Sequence, residues 1–225
     1  MLRTVVAVCA IILVFTSLGL AKDDRFDVSF NGAGVFTTTT TGNGVTHSAT
    51  DGANFFGTFR WRFIKKNPHH SLIFNYGRAK DSQIYESTED FHVLSSISEY
   101  TGAYVYSFHE THGFEPFVFA GAGALRFSPR STWVFFPDLP DGTHNRVQVN
   151  VGTSTQTEVA YLYGVGVDHR LPHFKRFSVR LQYRGLFYRA PDFNVTPART
   201  GSGLNFFTGG HAHMAEPSIG LVFRF

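Results

Sequence analysis

Cysteine is almost absent from this sequence. The one cysteine among the 225 residues is Cys9, and it lies inside the first apolar stretch of the chain. If that stretch is removed on export, the mature chain has no thiol. This excludes disulfide frameworks, thiolate catalysis and cysteine-based metal sites.

Long apolar runs and a strong charge of one sign are also missing. Residues 22–225 contain no run of about 18 apolar residues, the minimum for a transmembrane helix. The 20 Lys and Arg residues nearly balance the 17 Asp and Glu residues. A formal net charge of +3, scattered along the chain, gives no reason to expect nucleic acid as a partner.

Residues 1–21 have the pattern of a secretory signal peptide. Arg3 supplies the positive charge, a largely apolar stretch runs from Val5 to Leu18, and small residues precede Ala21. We therefore expect export, cleavage after Ala21 and one domain over residues 22–225. The alternative is an uncleaved N-terminal anchor.

Aromatic residues and glycine are abundant. The chain has 25 Phe, 9 Tyr and 22 Gly, and only 2 Met. Aromatic and glycine-rich composition with few helix formers favours strands joined by turns.

Eight segments alternate apolar and polar residues with a period of two, as strands with two different faces do. In each, large apolar side chains share one face and polar or small side chains share the other. The predicted strands are Arg25–Val35, Asn54–Ile64, Ser71–Lys80, Ile97–Phe108, Glu115–Phe127, Thr157–Arg170, Phe177–Tyr188 and Ile219–Phe225.

The size of the apolar side chains indicates which face points outward. In a soluble sandwich or barrel the apolar face points inward, and this many Phe and Tyr rings would overfill such a core. With the aromatic residues facing lipid, the charged residues pair in a narrow interior. We therefore predict an all-β fold, an eight-stranded antiparallel up-and-down transmembrane β-barrel.

This interpretation assigns particular aromatic residues to the outside of the barrel. In the fifth segment it places Phe117, Phe119, Leu125 and Phe127 toward lipid, opposite Ala120, Ala122, Ala124 and Arg126. Aromatic residues near segment ends are expected at the membrane interfaces. These are Trp61, Tyr106, Tyr183 and Tyr188.

The connections between the segments alternate in length. Long links rich in Thr, Ser, Gly, Asn and Pro are Phe36–Ala53, Asp81–Ser96, Ser128–Gln156 and Arg189–Pro217, and short links are Lys65–His70, His109–Phe114 and Leu171–Arg176. Outer-membrane barrels have short periplasmic turns and long outer loops. The alternation therefore predicts that both termini lie in the periplasm.

Four stretches of the chain resemble a known family. The sequence is similar to small outer-membrane β-barrel domains, relatives of the eight-stranded OmpA membrane domain, over residues 25–225. The stretches that carry the resemblance are Phe117–Gly123, Tyr163–Asp168, Val179–Gly185 and Gly220–Phe225.

The resemblance implies a location in the bacterial outer membrane, in contact with its lipids. It also implies periplasmic chaperones and the barrel-insertion machinery as partners during assembly, with Phe223 and Phe225 as the C-terminal insertion signature. It does not imply one activity, because members of this family range from structural proteins to adhesins and lipid-modifying enzymes.

Charged residues of the polar faces are expected to point into the lumen. An eight-stranded barrel is just wide enough to be filled by its own side chains, and buried charges need partners. We expect a structural salt-bridge plug; the alternative is a gated path for small solutes, lined by arginines. The predicted lumen residues are Asp27, Arg60, Arg62, Glu99, Glu115, Arg126, Glu158, Asp168, Arg170, Arg180, Arg184 and Arg224.

Eleven histidines raise the question of catalysis or metal binding. Asp168-His169-Arg170 has residue types used by lipid-A-modifying barrel enzymes, but no recognisable serine nucleophile accompanies it. His211 and His213 share a face and lack an evident third metal ligand. We expect no enzyme activity, no metal site and no cofactor, with a lipid-A-modifying enzyme as the weaker alternative.

One apolar stretch, Trp133–Pro137, interrupts the longest predicted loop. An exposed apolar cluster can mark a binding surface, here for an unknown extracellular ligand. Alternatively, this stretch extends the fifth strand or folds over the barrel mouth.

Overall fold

The computed structural model describes residues 25–64, 66–87, 90–135, 146–174, 176–196, 199 and 203–225. The expected signal peptide therefore lies outside the described residues. The strands are β1 Phe26–Thr37, β2 Thr40–Gly42, β3 Val45–Ala49, β4 Gly52–Trp61, β5 His70–Glu86, β6 Asp90–Ser107, β7 Phe114–Phe135, β8 Arg146–Val149, β9 Gln156–Arg170, β10 Phe177–Arg189 and β11 His211–Arg224.

Eight of these strands close into an antiparallel ring. The order around the ring is β1, β4, β5, β6, β7, β9, β10 and β11, and β11 pairs again with β1. Every junction between neighbouring strands is antiparallel. The predicted eight-stranded barrel is confirmed.

One end of the barrel, here called the turn end, holds three short connections and Phe225. The tightest connection joins β6 to β7, where Thr111 and Phe114 exchange backbone hydrogen bonds of 2.9 and 3.0 Å. Its two central residues, His112 and Gly113, have φ angles of 54° and 82°. Two consecutive positive φ angles are typical of the type I′ hairpin turn, whose twist matches that of the strands.

At the opposite end, here called the loop end, the strands run further than predicted. β5 continues to Glu86 and β6 begins at Asp90, so most of the predicted loop Asp81–Ser96 is strand. The predicted loop Phe36–Ala53 contains the β2–β3 hairpin, and β3 extends the sheet beside β5. β7 reaches Phe135 and pairs with β8, which favours the second interpretation of the Trp133–Pro137 stretch, a strand extension, as far as it is described.

The outward faces carry the expected apolar side chains. Phe30 is 72% exposed and Phe55 is 73% exposed, whereas the inward Asp27 and Arg60 are fully buried. Trp61, Tyr106 and Tyr183 also point outward.

The face assignment of β7 was wrong. Phe117, Phe119, Leu125 and Phe127 are buried inside the barrel, and the exposed Arg126 points outward. The reason lies in the neighbouring strand: Phe117 pairs with Gly166 and Phe119 pairs with Gly164 of β9. A Cβ on either glycine would come within 2.4 Å of the ring beside it, so these inward glycines make room for the two rings.

The interior has two layers. The half near the turn end contains most of the buried charged side chains, and the half near the loop end contains an apolar core beside a buried polar cluster of Asp81, Gln83 and Ser95. Tyr188, predicted at the membrane interface, instead lies in this core at 1% exposure, 5.5 Å from the ring of Phe127. Phe193, Val195 and Phe206 from the segment between β10 and β11 cover the core.

Candidate functional site

The charged layer is built by the inward faces of the barrel strands. Because side chains alternate across a strand, inward positions on several strands bring charges to the same interior space. We call the resulting set the interior network. It comprises Asp27, Arg60, Arg62, Glu99, Glu115, Asp168, Arg180, Arg184, Glu216 and Arg224.

Asp168 of β9 is the centre of the larger group in this network. Arg180 Nε lies 2.7 Å from Asp168 Oδ1, and Arg180 Nη2 lies 2.8 Å from Oδ2. Arg60 and Arg224 approach Oδ2 at 3.3 and 3.4 Å. One fully buried carboxylate thus accepts hydrogen bonds from three arginines on three different strands.

Two further carboxylates complete this group. Asp27 lies 3.0 Å from Arg62 and 3.5 Å from Arg180. Glu115 lies 2.9 Å from Arg224 and 3.8 Å from Arg62. Each arginine of the group therefore has at least one carboxylate within 4 Å, which is what a buried charge requires.

Arg184 holds a second, smaller group nearer the loop end. It forms ion pairs with Glu99 and Glu216. Thr101 donates to Glu99 at 2.7 Å, and Asn54 donates to Glu216 at 2.9 Å. This buried group has one more negative charge than positive charge, and the larger group has one more positive charge, so the ten residues balance.

Three arginines of the interior network contact aromatic rings. The guanidinium groups of Arg60 and Arg180 lie 4.6 and 5.2 Å from the centre of the Phe117 ring. Arg184 lies 3.8 Å from the centre of the Phe56 ring. Such cation–π contacts stabilise a desolvated cation by about 2 kcal/mol, which gives the inward position of Phe117 an electrostatic role.

Three predicted lumen residues lie outside the interior network. Arg126 is exposed on the outward face, so its prediction was wrong. Glu158 points inward near the loop end, is half-buried, and accepts a hydrogen bond from Gln156 at 2.6 Å. Arg170 lies at the turn end and pairs with Glu110 at 3.0 Å, where both side chains are about a third exposed.

Sequence reasoning missed Glu216. The predicted last strand began at Ile219, whereas β11 begins at His211. Pro217 concealed the extension, because proline within a run argues against a strand. The available signal was the alternation of Ala212, Met214 and Glu216, which are all buried.

The other candidate constellations are not assembled. Asp168 is buried in the lumen, whereas the ring of His169 stacks on Phe114 with centroids 4.2 Å apart. His213 lies 3.0 Å from the hydroxyl of Tyr163. Within the described ranges, no group of three or more His, Asp or Glu side chains is arranged to hold a metal ion.

The comparisons with known proteins agree with this architecture. The family model for the outer membrane protein beta-barrel domain matches residues 7–206. No curated relative matches the chain. Among the described residues, no helix is both long and apolar enough to cross a membrane.

Two solved structures are similar in fold. Neisserial surface protein A is 15% identical, with a TM-score of 0.50 over 89% of this chain and 97% of that chain. The outer membrane protein OprG from Pseudomonas aeruginosa is 12% identical, with a TM-score of 0.52 over 91% of this chain and 97% of that chain. At these identities the similarity shows the fold alone.

Proposed function

The chain belongs to the outer membrane protein beta-barrel domain family, and we propose that it is a non-enzymatic structural or surface-interaction barrel with a closed lumen. The observation that carries the proposal is the ion-paired interior network. A solute path between these residues would have to separate Arg180 from Asp168 and Arg184 from its two carboxylates. Removing one partner from a buried pair costs about 3–5 kcal/mol.

The apolar layer supports the same proposal. Above the network, Leu125, Leu162 and Phe127 are at most 2% exposed. Phe206 covers them from the loop end and stacks on Tyr85 with centroids 4.3 Å apart. Well-packed cores have few voids larger than a water molecule, so this layer opposes the passage of ions and polar solutes.

The compartment is part of the proposal. Export through a cleaved signal peptide, periplasmic termini, contact with outer-membrane lipids and assembly by chaperones and the insertion machinery all fit this family. Phe225 lies at the seam of the barrel, where its backbone exchanges hydrogen bonds of 2.9 and 3.1 Å with Phe26. Its ring stacks against Phe26 and Phe223, so the last residue also closes the barrel. An extracellular ligand would meet the loop end.

Conductance in a planar bilayer tests the closed lumen. The full-length protein should give no discrete current steps in salt, and it should give none when small anions or cations are exchanged. Solute-dependent steps would replace this proposal by the narrow channel lined by arginines.

Two further measurements test the remaining parts. Mass analysis of lipid A from cells with and without the protein should show the same acyl pattern; a changed pattern would establish a lipid-modifying enzyme. Cell fractionation followed by gels of heated and unheated samples should show a heat-modifiable outer-membrane protein. A soluble monomer purified without detergent would overturn the membrane location.

A further inference from the structure

Four basic side chains form a patch on the outside of the barrel, beside the loop end. They lie on β5 and β7, on either side of β6, and all four are exposed. Arg78 of β5 and Arg126 of β7 both pair with Ser98 of β6, so they lie at the same level of the barrel. Lys80 pairs with Ser96, two residues nearer the loop end. The basic patch consists of Arg78, Lys80, Arg126 and Arg130.

Arg130, which has the same parity on β7 as the outward Arg126, lies at a β-bulge beside the patch. On β6, Leu94 and Ser95 are consecutive, but their partners on β7 are Ser131 and Pro129. Arg130 is the extra residue of this bulge. The exposed Arg130 lines one outer concavity of about 460 Å³ together with Arg78 and Lys80.

The patch borders the outward aromatic surface. One pleat toward the turn end from Arg78, Tyr76 pairs with Tyr100, and their ring centroids are 5.2 Å apart. Both rings are about half exposed. Two residues along a strand span about 7 Å, so on β5 the basic side chains start one pleat beyond these rings, level with the exposed ring of Phe55 on β4. In a membrane this is the depth of the lipid headgroups.

Unlike the arginines of the interior network, these four cations have no carboxylate partner in the part of the chain that the structure describes. Among the residues that the structure describes, none of the four forms an ion pair within 4 Å. On the adjacent strand β9, Arg126 pairs with Thr157, and the next outward residues toward the turn end are Val159 and Tyr161, both more than 60% exposed. The positive charge is therefore local to β5–β7 and available to a partner of opposite charge.

The geometry points to one partner, and we propose that the basic patch binds the phosphate-bearing headgroup of an anionic lipid. The strands of Arg78 and Arg126 are two spacings apart, about 10 Å, and arginine presents a fork of donors that fits a phosphate. The exposed ring of Phe55, which lines the same concavity, offers an apolar wall for the acyl chains. This inference rests on the proposed membrane location.

Lipid retention tests the proposal. The full-length protein is reconstituted in vesicles of phosphatidylcholine with a minor fraction of phosphatidic acid, extracted in mild detergent and analysed by native mass spectrometry. The triple variant R78Q/R126Q/R130Q should retain about 100-fold less phosphatidic acid than the wild type, because each cation near anionic lipid contributes roughly fivefold to affinity.

The control removes one cation at the other end of the barrel. K66Q, at the turn end, should retain phosphatidic acid as the wild type does. Equal retention by the triple variant and the wild type would overturn the proposal. Release of the lipid by millimolar inorganic phosphate alone would also overturn it, because the site would then bind phosphate and not a lipid.

Heat-modifiability of each reconstituted sample separates this inference from the proposed function. If the wild type fails to insert into vesicles as a folded barrel, the proposed function falls and this inference falls with it. If every variant inserts and retention does not change, only the lipid site is refuted.

Discussion

Arg180 and Asp168 are direct cross-strand partners on β10 and β9, joined by two hydrogen bonds of 2.7 and 2.8 Å. Both side chains are at most 1% exposed. This paired geometry fixes the planes of both groups, and it leaves Asp168 Oδ2 shared with Arg60 and Arg224. The Asp168 carboxylate therefore links its own strand β9 to β10, β4 and β11, four strands of the ring.

Replacement of this carboxylate should be strongly destabilising. Asp168→Asn keeps the size of the side chain but leaves three buried arginines with one negative charge fewer. We expect the free energy of unfolding to fall by about 3–5 kcal/mol, the usual cost of breaking a buried ion pair from one side. Urea unfolding in detergent micelles, followed by tryptophan fluorescence, measures the change.

The exposed pair between Arg170 and Glu110 provides the control. Both side chains are about a third exposed, and surface pairs contribute at most about 1 kcal/mol. Glu110→Gln should therefore change the unfolding free energy by no more than that. Equal effects of Asp168→Asn and Glu110→Gln would show that the interior network does not stabilise the barrel.

In the smaller group around Arg184, replacing the arginine should destabilise the barrel more than replacing one of its two carboxylates. Arg184→Gln leaves Glu99 and Glu216 buried together without a cation, whereas Glu216→Gln leaves a balanced pair of Arg184 and Glu99. We expect Arg184→Gln to cost about 3–5 kcal/mol and Glu216→Gln clearly less. The same unfolding assay tests the order, and a larger loss for Glu216→Gln would contradict it.

The barrel itself was predictable because lipid-facing strands obey one rule. Outward residues such as Phe30, Phe74 and Leu221 are apolar and exposed, and many inward residues, such as Asp27 and Arg60, are polar, so alternation marks most strands. In the strand extensions at the loop end this rule reverses: apolar side chains point inward and polar side chains point outward. On β6, Phe91 and Val93 point inward and are buried, while His92 between them is partly exposed. The strand extensions were consequently interpreted as loops.

The interior network was predictable wherever strands had one clear polar face. The prediction of the inward face failed in β7, because phenylalanine rings and a charged residue share that face. Glu115 has the same parity as Phe117, and this was the available signal that the rings point inward and Arg126 outward. The bulge at Arg130 could not be predicted, since an extra residue leaves no pattern in the sequence of one strand.

His47 predicts a dependence of local stability on pH. It lies on β3, outside the barrel ring, where its Nε2 donates to Gln83 at 2.6 Å. Burial lowers the pKa of His47 from 6.5 to about 4, although the hydrogen bond with Gln83 raises it. The unfolded hairpin therefore binds a proton below pH 6.5, while the folded hairpin stays neutral down to about pH 4.

The stability of the β2–β3 hairpin should consequently fall as the pH is lowered from 6.5 to 4, by about 3 kcal/mol in all. Above pH 6.5 this contribution should be constant. Amide hydrogen exchange of residues 45–49, corrected for the intrinsic pH dependence of exchange, measures the change. His47→Gln, which cannot titrate, should remove most of the difference; an unchanged profile in that variant would assign the effect to another group.

The apolar cover at the loop end predicts a local effect of Phe206. Its ring lies against Tyr85 at 4.3 Å and Phe91 at 5.3 Å, and the Tyr85 hydroxyl donates to the carbonyl of Pro191 at 2.8 Å. Phe206→Ala removes the ring that joins the β5 and β6 extensions to the segment between β10 and β11. Truncation of a buried phenylalanine costs about 3–5 kcal/mol.

Because the barrel ring does not contain Phe206, this loss should appear as faster protease cleavage of residues 191–210, with heat-modifiability retained. Phe207→Ala is the matched control, since its half-buried ring contacts Arg189 at 4.9 Å instead of the core. It should be cleaved nearly as slowly as the wild type. Equal cleavage of the two variants would mean that the segment is held by its backbone contacts, such as those of Asp192 and Phe193 to Gln156, and that Phe206 does not fasten it to the barrel.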